Sequence, residues 1–131
     1  MTRAPDTVGE IMTAEVVTVS ATDPVAQAVR AMIDHDIGSV VVVDGPRAAG
    51  VLTERDLIRR LLDEPNLLAA RVGDVMSSPV VSTAPATEIV EAFDLMNRSG
   101  IRRLPVVDAD RLVGIVTERD LMRWVSRVAA E

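Results

Sequence analysis

The chain has 131 residues, 48% of them hydrophobic, and a formal net charge of −6, which is enough apolar side chain for a core and too acidic to favour a nucleic-acid backbone. Its fourteen cations are all arginine, so lysine Schiff-base and P-loop chemistry are excluded, while the planar guanidinium still suits phosphate and carboxylate. With no cysteine and His35 as its one histidine, the chain is barred from disulfides, thiol catalysis, histidine triads and Cys-based or multi-His metal sites.

In chain order, the first element is a short helix announced by Thr7 and Glu10, which are spaced as a capping box. The extended run Val16-Val17-Thr18-Val19 follows. Asp23-Pro24 then reads as an N-cap with proline at the first helical position. Val25, Ala28, Val29, Met32 and Ile33 form one apolar stripe on that helix. A buried strand at Ser39–Val43 turns at Asp44-Gly45-Pro46, returns along Ala48–Leu52, and leads into a helix that starts at Thr53. Asp63-Glu64-Pro65-Asn66 breaks this helix.

The whole order then recurs. Sliding the sequence by 64 positions lays Val8–Arg59 on Val72–Arg123 without a gap, and Gly50-Val51-Leu52-Thr53-Glu54-Arg55-Asp56-Leu57 falls on Gly114-Ile115-Val116-Thr117-Glu118-Arg119-Asp120-Leu121. The second copy has the extended run Val80–Thr83, a helix capped by Thr87 with a stripe of Ile89, Phe93 and Met96, strands at Leu104–Val107 and Arg111–Val116, and a terminal helix. The chain is a duplication, with repeats at 1–64 and 65–131. Each reads β-α-β-β-α, an α/β fold in which the two repeats pack about a pseudo-twofold axis.

Two Thr-Glu-Arg-Asp turns sit where a strand runs into a helix, at Thr53–Asp56 and Thr117–Asp120. Free backbone N–H groups and the positive end of the helix dipole favour an anion there. Thr53 and Thr117 offer hydroxyls to a phosphate, Arg55 and Arg119 offer cations, and Asp56 and Asp120 can accept both hydroxyls of a ribose. The same Thr-x-x-Asp spacing is also a capping box that serves only the backbone. On the residues alone, both readings stand. Nothing resembles a nucleophile paired with a base, so no catalytic residue is assigned.

The paired Gly-Val-Leu-Thr-Glu-Arg-Asp and Gly-Ile-Val-Thr-Glu-Arg-Asp endings, the Leu-Pro-Val-Val-Asp strand at 104–108 and the Val-Met openings resemble a tandem pair of CBS domains, a Bateman module. The resemblance spans nearly the whole chain. It implies a disc-like, often dimeric regulatory module with two clefts for AMP, ADP, ATP or S-adenosylmethionine. It also implies that the Asp-bearing turn of one copy faces the opening and second strand of the other. Carried across, the Asp56 cleft is completed by Ser77, Val81, Ile101 and Arg102, and the Asp120 cleft by Thr13, Val17, Ile37 and Gly38.

Arg102 and Arg103 stand where the first copy has Gly38 and Ser39; they are either a solvated pair balancing surface carboxylates or, as the resemblance implies, the cations that hold a phosphate at the Asp56 cleft. The expectation is a cytoplasmic adenosine-nucleotide sensor without a metal or resident cofactor, a homodimer with a separate effector protein. The alternative is a dimerisation scaffold with vestigial clefts. No membrane or nucleic-acid partner is expected. His35 reads as an ordinary surface helix end, and Met12, Met32, Met76 and Met96 as packing, with Met12 and Met76 near the clefts. Leu121, Met122, Trp124 and Val125 cluster on the terminal helix, where the lone Trp124 suits either the core or, the favoured reading, a dimer contact.

Overall fold

The computed structural model describes residues 5–130, which form a mixed α/β protein. Its helices are α1 (Val8–Ile11), α2 (Val25–His35), α3 (Glu54–Leu61), α4 (Val72–Val75), α5 (Ile89–Ser99) and α6 (Glu118–Ala130). Its strands are β1 (Thr18–Ser20), β2 (Ser39–Asp44), β3 (Arg47–Thr53), β4 (Arg103–Asp108) and β5 (Arg111–Thr117). A single 3-10 turn covers Leu67–Ala69. The residues divide into two compact units, one spanning Val17–Val81 and the other taking the described chain up to Val16 and from Ser82 onward.

That division differs from the sequence repeat because each opening helix packs with the body of the other copy. In the Val17–Val81 unit, Val72 and Val75 of α4 join Val25 and Met32 of α2 and Val40 and Leu52 of the strands in one core. In the other unit, Val8 of α1 joins Ile89 and Met96 of α5 and Leu104, Val116 and Leu121. All of these residues are at most 6% exposed.

The exchange changes the expected helix caps. Pro24 and Glu88, not Asp23 and Thr87, occupy the N-cap positions of α2 and α5. The first helical amides are satisfied by the opening segments instead: Val25 N–H donates to the Ala70 carbonyl at 2.8 Å and Ile89 N–H to the Asp6 carbonyl at 2.9 Å. Asp23 and Thr87 close the preceding turns, accepting from the Ser20 amide at 2.8 Å and the Ala84 amide at 3.3 Å. The Thr7–Glu10 box is present, with the Glu10 carboxylate accepting from the Thr7 amide at 3.3 Å and hydroxyl at 2.9 Å.

β2 and β3 form an antiparallel hairpin, and so do β4 and β5. Each carries a bulge at the same repeat position, between Val42 and Val43 and between Val106 and Val107. In the first copy β1 runs parallel to β2, and the Val41 amide reaches the Val17 carbonyl. The corresponding residue of the second copy is Pro105, which has no N–H to give. The run Val80–Thr83 accordingly forms no strand, and only Thr83 bridges to the sheet, donating to the Pro105 carbonyl at 3.0 Å and accepting from the Val107 amide at 2.8 Å.

The stripe on α2 is narrower than its sequence spacing suggests: Val25, Ala28 and Met32 are buried, Val29 is half-buried, and Ile33 is 72% exposed. On α5, Ala92 is buried with Ile89 and Met96, and Phe93 lies at the edge of the core.

Candidate functional site

Thr53 ends β3 in extended backbone and is the N-cap of α3. Its hydroxyl accepts from the Asp56 amide at 3.1 Å, and Asp56 Oδ2 accepts from the Thr53 amide at 3.0 Å. The capping box is therefore complete with one carboxylate oxygen. Oδ1 is left for other partners, and the Ser77 hydroxyl donates to it at 3.1 Å. Ser77 is delivered by a backbone bridge to β3, with Val51 and Ser77 exchanging amide-to-carbonyl bonds of 3.1 and 2.9 Å.

The second turn repeats this plan with different partners. Asp120 Oδ2 accepts from the Thr117 amide at 2.9 Å and hydroxyl at 3.0 Å, and the Thr117 hydroxyl accepts from the Asp120 amide at 3.2 Å. Asp120 Oδ1 has the Arg123 guanidinium at 3.8 Å. Thr13, the counterpart of Ser77, is bridged to Ile115 by two bonds of 2.9 Å. The capping reading is thus realised at both turns through Oδ2, and Oδ1 of each carboxylate takes no part in the cap.

Arg102 and Arg103 belong to the unit that holds the Asp120 turn. The Glu118 amide donates to the Arg102 carbonyl at 2.9 Å, and the Arg102 guanidinium stands 3.9 Å from the Glu118 carboxylate, an exposed pair of little energetic weight. Arg103 is half-buried, and its Nε is buried without a hydrogen-bond partner. Burial lowers its guanidinium pKa from the ordinary arginine value, and the charge of Asp120 acts the other way.

The Asp56 turn has Gly38 in the corresponding place, with the Glu54 amide donating to the Gly38 carbonyl at 3.0 Å. Val17 and Ile37 are half-buried in this same unit, and Val81 is 41% exposed. Ile101 lies in the other unit and lines a groove of about 240 Å³ with Phe93, Met96, Arg102, Glu118 and Leu121. Arg55 and Arg119 are exposed beside their turns.

Sequence reasoning missed the tight seat of each opening segment. A Cβ on Gly50 would lie 2.6 Å from the Ser77 carbonyl oxygen and 2.7 Å from Met76 Sδ. On Gly114 it would lie 2.6 Å from Met12 Sδ and 2.9 Å from the Thr13 oxygen. The glycines recurring at the repeat offset were the available signal. The terminal helix also differs from expectation. Leu121 is buried and Trp124 donates its indole N–H to the Pro5 carbonyl at 2.6 Å, so both belong to their own unit's core, while Met122 and Val125 stay exposed. Among the described residues no group of His, Asp or Glu is gathered to hold a metal, and no helix is long and apolar enough to cross a membrane.

Two capped strand-to-helix turns, 64 positions apart and each in its own β-hairpin unit, define a tandem α/β repeat. The chain belongs to the CBS domain family, whose model matches residues 8–63 and 72–127. It is 38% identical over 114 residues to the CBS domain-containing protein YhcV of Bacillus subtilis, covering 87% of this chain and 81% of that one. It is 40% identical over 121 residues to the uncharacterised protein MK0525 of Methanopyrus kandleri, of whose length it spans 61%. Among solved structures it resembles CBSX2 in complex with AMP, with a TM-score of 0.83 and 27% identity over 94% of this chain and 98% of that one.

Proposed function

We propose that the chain is a regulatory module of the cytoplasm that binds an adenosine nucleotide, AMP, ADP or ATP, at its Thr-Glu-Arg-Asp turns. The observation that carries this is the division of labour in each aspartate: Oδ2 closes the helix cap, and Oδ1 is presented outside it, to a serine hydroxyl at Asp56. A ribose diol makes the same kind of bond as that hydroxyl. CBS membership and the AMP complex of CBSX2 support the ligand class. Arg102 and Arg103 supply cations for the phosphates, and the positive dipole ends of α3 and α6 add to them. The chain acts by binding and not by catalysis. Its output passes through a change in conformation or association to an effector protein or to a second copy.

The test is thermal unfolding with millimolar AMP, ADP, ATP or S-adenosylmethionine, beside Asp56→Asn and Asp120→Asn variants. A ligand at 100 times its Kd adds about 2.7 kcal/mol of stability, and each variant is expected to remove the share of its own turn. If no ligand moves the midpoint of the unaltered protein, the module is a scaffold. Arg102→Ala is expected to weaken ATP more than adenosine, and equal losses would refute the phosphate role.

A further inference from the structure

We propose that Met12 and Met76 are modification sites for hydrogen peroxide, at which sulfoxide formation detaches the segment that carries each methionine from its strand. The two are related by the repeat offset and share one geometry. Each thioether lies against a glycine, Met76 on Gly50 and Met12 on Gly114, so closely that a single added carbon would fall within 2.7 Å of the sulfur. Both residues are half-buried at the rim of their cores rather than enclosed in them. Met32 and Met96 are only 6% and 4% exposed, and Met122 is 56% exposed. The chain has no cysteine, so its thioethers are the sulfurs that react with peroxide.

In the reaction a sulfur lone pair attacks one peroxide oxygen and the O–O bond breaks as the S–O bond forms. The departing hydroxide takes the proton of the transferred oxygen and leaves as water. Sulfur loses two electrons and peroxide gains them. The product is a polar, bulkier group at an apolar contact with no spare room.

What hangs on that contact is specific. The residue after Met76 is Ser77, held by the two Val51 bonds and donating to Asp56; the residue after Met12 is Thr13, held by the two Ile115 bonds. Displacing the thioether releases these bridges. That the nucleotide sites are weakened in consequence rests on the function proposed above.

The experiment is a peroxide titration of the full chain without nucleotide, reading sulfoxide positions by peptide mass spectrometry and backbone amide exchange in the same samples. Sulfoxide at Met12 and Met76 is expected to accompany at least tenfold faster exchange at Thr13, Val51, Ser77 and Ile115, reversed by methionine sulfoxide reductase. Met76→Leu is expected to keep the Val51–Ser77 bridge protected under peroxide, while the Thr13–Ile115 bridge still opens. The proposal is overturned if both sulfoxides form with exchange unchanged. It is equally overturned if both methionines stay reduced while Met122 is converted. Because exchange is read without ligand, a protein that never binds AMP defeats the nucleotide reading alone.

Discussion

At Asp36 and Gly100 the two copies meet the same demand with different residues. Both α2 and α5 end in a left-handed residue, Asp36 at φ 51° and Gly100 at φ 65°, and in both the next amide reaches back, Ile37 to Met32 and Ile101 to Met96. Aspartate carries a Cβ penalty in this region that glycine lacks. Asp36→Gly should therefore raise stability by about 0.5–1 kcal/mol after the added unfolded-state entropy is counted, and Gly100→Asp should lower it comparably. Chemical denaturation read at its midpoint checks both.

Arg103 presents the opposite case, a residue whose surroundings oppose it. Its buried Nε lacks a partner and burial disfavours its charge. Arg103→Met should stabilise the ligand-free protein by about 1 kcal/mol, since an unsatisfied buried donor is removed. In the same variant the gain in stability from ATP should shrink relative to adenosine. A loss of stability on this substitution would show that the charge of Asp120 outweighs desolvation.

At the scale of elements, the hairpins depend on what crosses them. Gly50 lies in β3 and Gly114 in β5, and each faces the backbone of an opening segment at a distance no Cβ tolerates. Gly50→Ala and Gly114→Ala should each cost about 1–3 kcal/mol, as overpacking does. Calorimetry would record this, with hydrogen exchange locating the loss at Ser77 in one variant and Thr13 in the other. The terminal helix α6 is likewise tied to the start of the chain through Trp124 and the Pro5 carbonyl, which turns a residue expected at a dimer contact into an internal anchor.

For the whole molecule, the capping boxes connect binding to structure. On the proposed function, a ribose at Oδ1 of Asp56 or Asp120 would touch the carboxylate that closes the first turn of α3 or α6. AMP should therefore slow amide exchange most strongly at the starts of these two helices and at Ser77, with a smaller effect on α2 and α5. Uniform protection, as for simple global stabilisation, would argue against the turns as the contact. Exposed apolar residues recur along both helices, Ile58 and Leu61 on α3 and Met122 and Val125 on α6.

The sequence alone was sufficient for the duplication, the family, the hairpins and the two Thr-x-x-Asp turns, because these depend on local period, turn chemistry and self-similarity. Tertiary structure decided the rest. Which carbonyl satisfies the first amide of α2 or α5 depends on a segment from the other repeat, so the exchange of opening helices overruled Asp23 and Thr87 as caps. The missing N–H of Pro105 mattered only once its parallel neighbour was in place. That Asp56 closes its cap with Oδ2 and turns Oδ1 to the Ser77 hydroxyl was likewise decided by the tertiary structure, since spacing along a chain counts residues and cannot assign their atoms.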